Sequence, residues 1–496
     1  MRIQHHIKIN LRGGIAPVGM LSTLLQTAKK VGIVGFRIGS RQQLLTTISV
    51  RDLAYFRKAL FAAQIDFEVD EEEYPNIISS YPGAAVFHSG TWLSEGIYQD
   101  ILSQFTYRPR LKINISDNNQ SFTPFFTGHV NFIASPSENY WYLYVRFPKS
   151  NQMFCWNQLI YSTEIPQISQ ILENMLLNTE DEPVFDKEEI QNQIHKNYRL
   201  LTRPITEPLT VPRFMLPYYE GFNRYGGRTW LGIYRRNEFF RLSFLESITQ
   251  LCQDTKIGQI CITPWRSLII KGIEEQNRLK WEKILGKFDI NLRHAAIELN
   301  WQHTDRAIED VKLKNFIVEE FNRRDARTFG VSFAIKSQPK SEVFGSIIIK
   351  KKTILGGLIT GYRILYKEGF NPNSRKSFVH KEFALKVELP SVLLDLYKKY
   401  QVYLNENQIV GDDAEEIEDK LFKEESPTPN GTFRTVSPAF QEHIYTCPNC
   451  MTVYSAEYGD ELNNIPAGIP FDALPAEYCC PTCSTPKSDY VLAKPL

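Results

Sequence analysis

The sequence predicts an α+β body, built as an internal duplication and followed by a small C-terminal metal domain. Three observations carry this prediction. When the chain is slid along itself so that Leu21 falls on Leu245, Leu24 falls on Ile248, Ile38 on Ile262 and Leu60 on Ile284, apolar on apolar throughout. A strand-rich, aromatic stretch follows each copy. Five of the eight cysteines, Cys447, Cys450, Cys479, Cys480 and Cys483, lie beyond residue 446.

The 496 residues, 43% of them hydrophobic, suffice for more than one core. Lys and Arg number 57 against 56 Asp and Glu, a net charge of +1, so no global field draws the chain to nucleic acid or an anionic membrane. No window approaches 18 consecutive apolar residues, and the start, MRIQHHIKINLRGG, lacks the apolar run of a secretory signal. The expectation is a cytoplasmic protein with neither a nucleic-acid nor a membrane partner. Eight cysteines are too few for a disulfide scaffold, so they are read as thiols or metal ligands.

Each copy of the duplication reads as helix, strand, strand, helix. The first helix carries Leu21, Leu24, Leu25 and Ala28 at helical spacing, and its counterpart carries Leu245, Ile248, Leu251 and Cys252. The strand pairs are Phe36 to Ile48 and Ile260 to Ile273, each with apolar flanks around a polar tip. A unit this small cannot cover both faces of its sheet, so the copies are expected to pack on each other. The β-rich stretches are Tyr107 to Ile115, Val130 to Phe147 and, after the second copy, Val331 to Ile349. An acidic run, Gly411 to Glu425, and Ser426 to Gly431 have the composition of a linker. The expected organisation is a first half-domain over 1–72, a first α+β repeat over 73–205, a second half-domain over 206–295, a second, degenerate repeat over 296–402, a linker over 403–442 and the metal domain over 443–496. Cys155, Cys252 and Cys261 form no CxxC pair and are assigned to packing. No Rossmann or P-loop fingerprint indicates a nucleotide site.

The strand-turn-strand segments, with Gly13-Gly14 and Arg241-Leu242 leading in, resemble the ferredoxin-like half-domains of siroheme sulfite and nitrite reductases. The resemblance covers roughly residues 5 to 295 and places Gly39-Ser40-Arg41-Gln42-Gln43 and Thr263-Pro264-Trp265 at equivalent turns. It implies an anion or tetrapyrrole site in which Arg41 meets siroheme carboxylates, while Arg110 and Lys112 hold a small oxyanion. Forked and point cations in a partly desolvated cleft suit such ligands. The family's iron-sulfur cluster needs four cysteines in the second repeat, and Ala296 to Tyr403 contains none, so no cluster is expected.

The metal signal is Cys447-Pro448-Asn449-Cys450 and Cys480-Pro481-Thr482-Cys483, two pairs separated by residues 451–479. Four soft thiolates on two turns favour tetrahedral zinc or iron. With Tyr445-Thr446, Tyr454, Gly459-Asp460, Ile465-Pro466-Ala467-Gly468, Phe471, Leu474-Pro475 and Pro486-Lys487, residues 443 to 490 resemble rubredoxin. The resemblance implies one iron on Cys447, Cys450, Cys480 and Cys483, cycling between ferric and ferrous states, inside a core of Tyr445, Tyr454, Phe471, Tyr478 and Tyr490. Met451 and Ser484 replace the usual glycines, and Tyr478 the usual tryptophan. A left-handed non-glycine costs about 1 to 2 kcal/mol, against roughly 10 kcal/mol returned by metal binding. Cys479 is surplus to the tetrahedron. The function expected is one-electron transfer to or from redox partner proteins, in an assimilatory nitrite, nitrate or sulfite reduction system. One alternative is an oxidoreductase that carries siroheme in its body, acts on a small oxyanion and takes the rubredoxin as donor; another is a zinc-stabilised scaffold.

Overall fold

The structure, a computed structural model, describes residues 4–87, 92–148, 152–177, 187–338, 343–354, 359–421, 445–448, 452–454, 456, 459–460, 463, 465–466, 468–481 and 485–492. The chain forms two compact units, Met1–Asp412 and Asp413–Leu496.

The first half-domain runs β1 (Gln4–Asn10), β2 (Ile15–Pro17), α1 (Val18–Lys30), β3 (Gly35–Gly39), β4 (Gln43–Ser49), α2 (Val50–Ala62) and β5 (Phe67–Val69). Leu21, Leu24, Leu25 and Ala28 make the buried stripe of α1. Its chain reverses at Gly32, whose φ of 71° suits a residue without Cβ. Ser49 caps α2 by accepting the Arg51 N–H at 3.3 Å.

The first large repeat follows as β6 (Ile78–Ser79), α3 (Glu95–Ser103), β7 (Ile113–Ser116), β8 (Val130–Ala134), β9 (Tyr140–Arg146), β10 (Met153–Cys155), β11 (Gln158–Tyr161), α4 (Ile165–Leu177), α5 (Lys187–Asn197) and β12 (Thr202–Pro204). The second half-domain has β13 (Gly221–Tyr225), β14 (Arg228–Ile233), β15 (Phe239–Arg241), α6 (Leu242–Asp254), β16 (Gln259–Ile262), β17 (Leu268–Ile273) and α7 (Arg278–Lys287). The second repeat has α8 (Ala296–Leu299), β18 (Trp301–His303), α9 (Ile308–Arg323), β19 (Phe333–Lys336), β20 (Ile347–Ile354), β21 (Ile359–Lys367), β22 (Ser377–Ala384) and α10 (Leu389–Leu421).

The alignment that sets Leu21 on Leu245 also sets the ends of α1 on those of α6, Val18 on Leu242 and Lys30 on Asp254. The half-domains also exchange a strand, which the sequence did not reveal. β2 leaves its own sheet and pairs with β16, Ala16 opposite Ile260, in the order β13-β14-β17-β16-β2. Reciprocally, β15 pairs with β3, Phe240 opposite Phe36, in the order β15-β3-β4-β1-β5. Leu24, Phe36, Ile38, Leu245, Ile248 and Ile262 share one core across both copies. Each such side chain contributes about 1.5 to 3 kcal/mol of burial, and neither copy could enclose this core alone.

The large repeats match as well. β6, β7 and β8 are parallel before β9 turns antiparallel, and β18, β19 and β20 are parallel before β21 does. Of the expected linker, residues 403–421 continue α10 and residues 422–442 lie outside the described residues. Among the described residues no helix is long and apolar enough to cross a membrane.

In the second unit β23 (Tyr445–Thr446) lies between β24 (Val453–Tyr454) and β25 (Val491–Leu492). Its core is Cys447, Tyr454, Phe471, Leu474, Tyr478, Cys480 and Tyr490, with Tyr445 packed against it. Those include the five aromatic residues expected from the sequence.

Candidate metal centre and anion cavity

The C-terminal unit places Cys447 and Cys480 on two turns closed in the same way. The Cys447 N–H donates to the Thr452 carbonyl and the Cys480 N–H to the Thr485 carbonyl, each at 2.8 Å and each five residues ahead. Both cysteines are buried, at 0% and 2% exposure. Cys450 and Cys483 lie outside the described residues. Around the pair, the Tyr454 hydroxyl donates to the Ile469 carbonyl at 2.6 Å and that of Tyr478 to Asp460 Oδ2 at 2.7 Å. Burial, aided by Asp460, pushes the Tyr478 phenol up. Lys487 Nζ donates to the Asp472 and Leu474 carbonyls at 3.0 and 2.8 Å, and sits 5.6 Å from the Phe471 ring centre. Two soft donors on matched turns in an aromatic, water-poor core fit a thiophilic metal, and iron among them. Cys479 is half-buried and its sulfur turns to the Glu477 carbonyl at 3.4 Å.

In the body, a cavity of about 230 Å³ is lined by Lys8, Arg41, Lys112, His303 and Asp305, among others. It joins Arg41 and Lys112, two of the three residues expected from the sequence. Arg110 does not line it; that side chain is half-exposed and faces Glu73 at 3.5 Å. Arg41 is spent on structure, donating to the Asn76 carbonyl at 2.7 Å, the Ile113 carbonyl at 3.0 Å and Asn114 Oδ1 at 3.2 Å. Lys8 pairs with Glu68. Two carboxylates, Glu72 and Asp305, share the cavity wall.

These residues do not fit siroheme. The cavity is smaller than the roughly 300 to 1,000 Å³ that drug-sized ligands occupy, and its carboxylates would oppose those of the macrocycle. A single small oxyanion fits.

Neighbouring Arg41 is a residue that sequence reasoning passed over. Gln42, at φ 56°, and Arg266, at φ 57°, occupy the same position in the two copies, on equivalent turns, and both are fully buried. Gln42 exchanges hydrogen bonds with the Ser79 carbonyl and N–H, at 3.1 and 2.8 Å. Arg266 donates to the His303 carbonyl at 2.6 Å and to Asp305 Oδ1 at 2.8 Å. Ser79 and His303 are again counterparts under the alignment of Leu21 with Leu245, so each half-domain plugs its turn into the first strand of the repeat that follows. The signal was a polar residue aligned with a polar residue at the tip, visible only once the turns are known to be left-handed.

Around Arg266 lies a buried ionic cluster that the sequence did not disclose. Glu238 meets His303 Nε2 at 2.5 Å and contacts Lys314, while Lys314 Nζ donates to the Tyr234 hydroxyl at 2.8 Å. Burial pushes the Glu238 carboxyl up, but His303, Lys314 and Arg266 outweigh it and hold the group well below the usual carboxylate range. Cys252 and Cys261 are buried, as expected, and burial pushes their thiols up to about 12 and about 11. Cys155 departs from expectation: it ends β10 and is exposed.

The rubredoxin family profile matches residues 444–490. A probable rubredoxin HupI of Bradyrhizobium diazoefficiens is 47% identical over 45 residues, 9% of this chain and 65% of that protein. Rubredoxin 3 of Rhodococcus erythropolis is 46% identical over 39 residues, 8% of this chain and 64% of that protein. Rubredoxin-1 of Chlorobaculum tepidum is 37% identical over 46 residues, 9% of this chain and 67% of that protein. The chain thus spans about two thirds of the length of these relatives. The structure of the NirA protein of Mycobacterium tuberculosis superposes with a TM-score of 0.60 at 15% identity, covering 78% of this chain and 79% of that one. The family implies one iron in a cysteine site and electron transport. Residues 444–490 belong to the rubredoxin family, and the chain's body has the NirA fold.

Proposed function

We propose that this protein is a one-electron carrier in which Cys447, Cys450, Cys480 and Cys483 hold a single iron and the body recognises the redox partner. The observation that carries this reading is the pair of matched turns, with Cys447 and Cys480 both buried and both anchored by the same N–H to carbonyl closure. When bound, the metal supplies a ferric/ferrous couple that takes up one electron. The chain's own residues hold it with sulfur, exclude water with Tyr454, Phe471 and Tyr478, and fix the Phe471 to Leu474 turn through Lys487. Backbone N–H groups directed at thiolates tune the potential of such a site.

The body, on this reading, presents a docking surface for a partner reductase of nitrite, nitrate or sulfite assimilation, and its cavity takes one small oxyanion beside Lys112. Supporting this is the absence of cysteine from Ala296 to Tyr403, where the resembled reductases place their cluster ligands. Substrate reduction therefore falls to the partner.

The test is metal analysis and a visible spectrum of the full chain before and after dithionite, alongside Cys480→Ser. The expected result is one iron per chain and a colour that bleaches on reduction, both lost in the variant. Zinc in place of iron, with failure to take up ferrous iron after unfolding and refolding, would overturn the reading in favour of a scaffold.

A further inference from the structure

A second cavity of the body, about 260 Å³, lies between the two large repeats and is distinct in charge from the first. Its described lining includes Arg146 on β9, Lys336 on β19, Lys367 on β21 and Arg375 in the loop before β22, and no carboxylate. The first cavity, which shares Thr127 and Phe344 with it, has Glu72 and Asp305 in its wall. Cations that face one cavity repel one another, and an anion seated among them relieves the repulsion.

The settings of Arg146, Lys367 and Arg375 agree. Arg146 is held in place by donating to the Gly128 and Thr127 carbonyls, both at 3.1 Å. Lys367 and Arg375 make no side-chain hydrogen bond or ion pair among the described residues. Burial, reinforced by Arg375, pushes the Lys367 ammonium down. The remaining wall is apolar and partly aromatic, with Phe126, Met153, Phe344 and Ile348. A guanidinium fork beside lysine point charges suits a tetrahedral dianion better than a lone carboxylate. The rings beyond them suit an organic body.

We propose that this cavity binds a small phosphate ester, its phosphate among Arg146, Lys336, Lys367 and Arg375 and its organic part against Phe126 and Phe344. The volume admits a compact metabolite and excludes a dinucleotide or a macrocycle.

Titration calorimetry of the full chain at constant ionic strength, with phenyl phosphate and with inorganic phosphate, tests it. Phenyl phosphate is expected to bind, at least tenfold tighter than inorganic phosphate. Lys367→Met and Arg375→Ala are each expected to weaken it tenfold or more. Arg375 is exposed, so Arg375→Ala keeps the fold, which circular dichroism verifies. Absence of binding at millimolar ligand, or unchanged affinity in Arg375→Ala, would overturn the proposal. Equal affinity for the two anions would overturn its organic part and leave free phosphate as the ligand.

Discussion

Replacing Glu238 by glutamine removes a carboxylate that His303, Lys314 and Arg266 all face. Glu238 is 3% exposed, and Lys314 and Arg266 are as deeply buried. Glutamine keeps the shape but leaves buried Lys314 without its ion-pair partner, while Arg266 keeps Asp305 at 2.8 Å. Removing one partner of a buried pair costs about 3 to 5 kcal/mol. Unfolding the body, Met1–Asp412, carries an entropy of roughly 0.9 kcal/mol/K at about 2.1 cal/mol/K per residue, so a loss near 4 kcal/mol lowers its Tm by about 5 °C. The sign of the pH dependence follows from the direction of the shift. The folded carboxyl lies well below its unfolded value, so its stabilisation is complete above the unfolded pKa, about 4.3, and is lost as pH falls through the folded one. Scanning calorimetry of wild type and Glu238→Gln should show a deficit above the unfolded carboxyl pKa that shrinks in more acid solution. A Tm within 1 °C of wild type near neutrality, or a deficit that is constant into strong acid, refutes the reasoning.

Two further tests address the fold. Gly14→Ala places a Cβ at φ 76° against the Gln42 amide and the Ile262 carbonyl; backbone strain and the disturbed Gln42 bonds should together cost about 2 to 4 kcal/mol in urea unfolding, whereas Gly19→Ala, in open space within α1, should stabilise by up to about 1 kcal/mol. Alkylation at pH 8 followed by mass spectrometry should modify Cys155 in the native body and spare Cys252 and Cys261 until unfolding, because thiols near 12 and 11 are ionised to only about one part in ten thousand and one in a thousand. Fast native labelling of Cys252 would show that the shared core opens.

The duplication was legible because helical spacing survives in the apolar stripes of α1 and α6, and core volume constrains those positions in both copies. The strand exchange was not, since β2 and β15 are three residues each and a pattern so short cannot say which sheet it joins. The four cysteines proposed as ligands stand out in the sequence because thiolate chemistry needs a fixed spacing on tight turns. Of the three residues expected to meet an anion, Arg41 and Lys112 line one cavity, but Arg110, two residues before Lys112, meets Glu73 instead. The Glu238 cluster was illegible because its members are separated in sequence by up to 76 residues and meet only through tertiary packing.

The buried charges also bear on where the redox chemistry of this chain lies. Arg266 binds both His303 and Asp305 at the junction where the second half-domain meets its repeat, and Ser40 from the first half-domain donates to Asp305 at 2.9 Å. His303 and Asp305 also face the first cavity. Enlarging that cavity to seat a macrocycle would separate these partners, at about 3 to 5 kcal/mol for each charge left alone. A body of this size has a total stability of only some 5 to 15 kcal/mol. Breaking the Arg266–Asp305 pair alone would take a large share of it. The junction is therefore held together by buried polar bonds, while Cys447 and Cys480 stand in the separate C-terminal unit. On the proposed reading, partner recognition falls to this body and electron transfer to the C-terminal unit, and the predicted deficit of Glu238→Gln measures the rigidity of the junction.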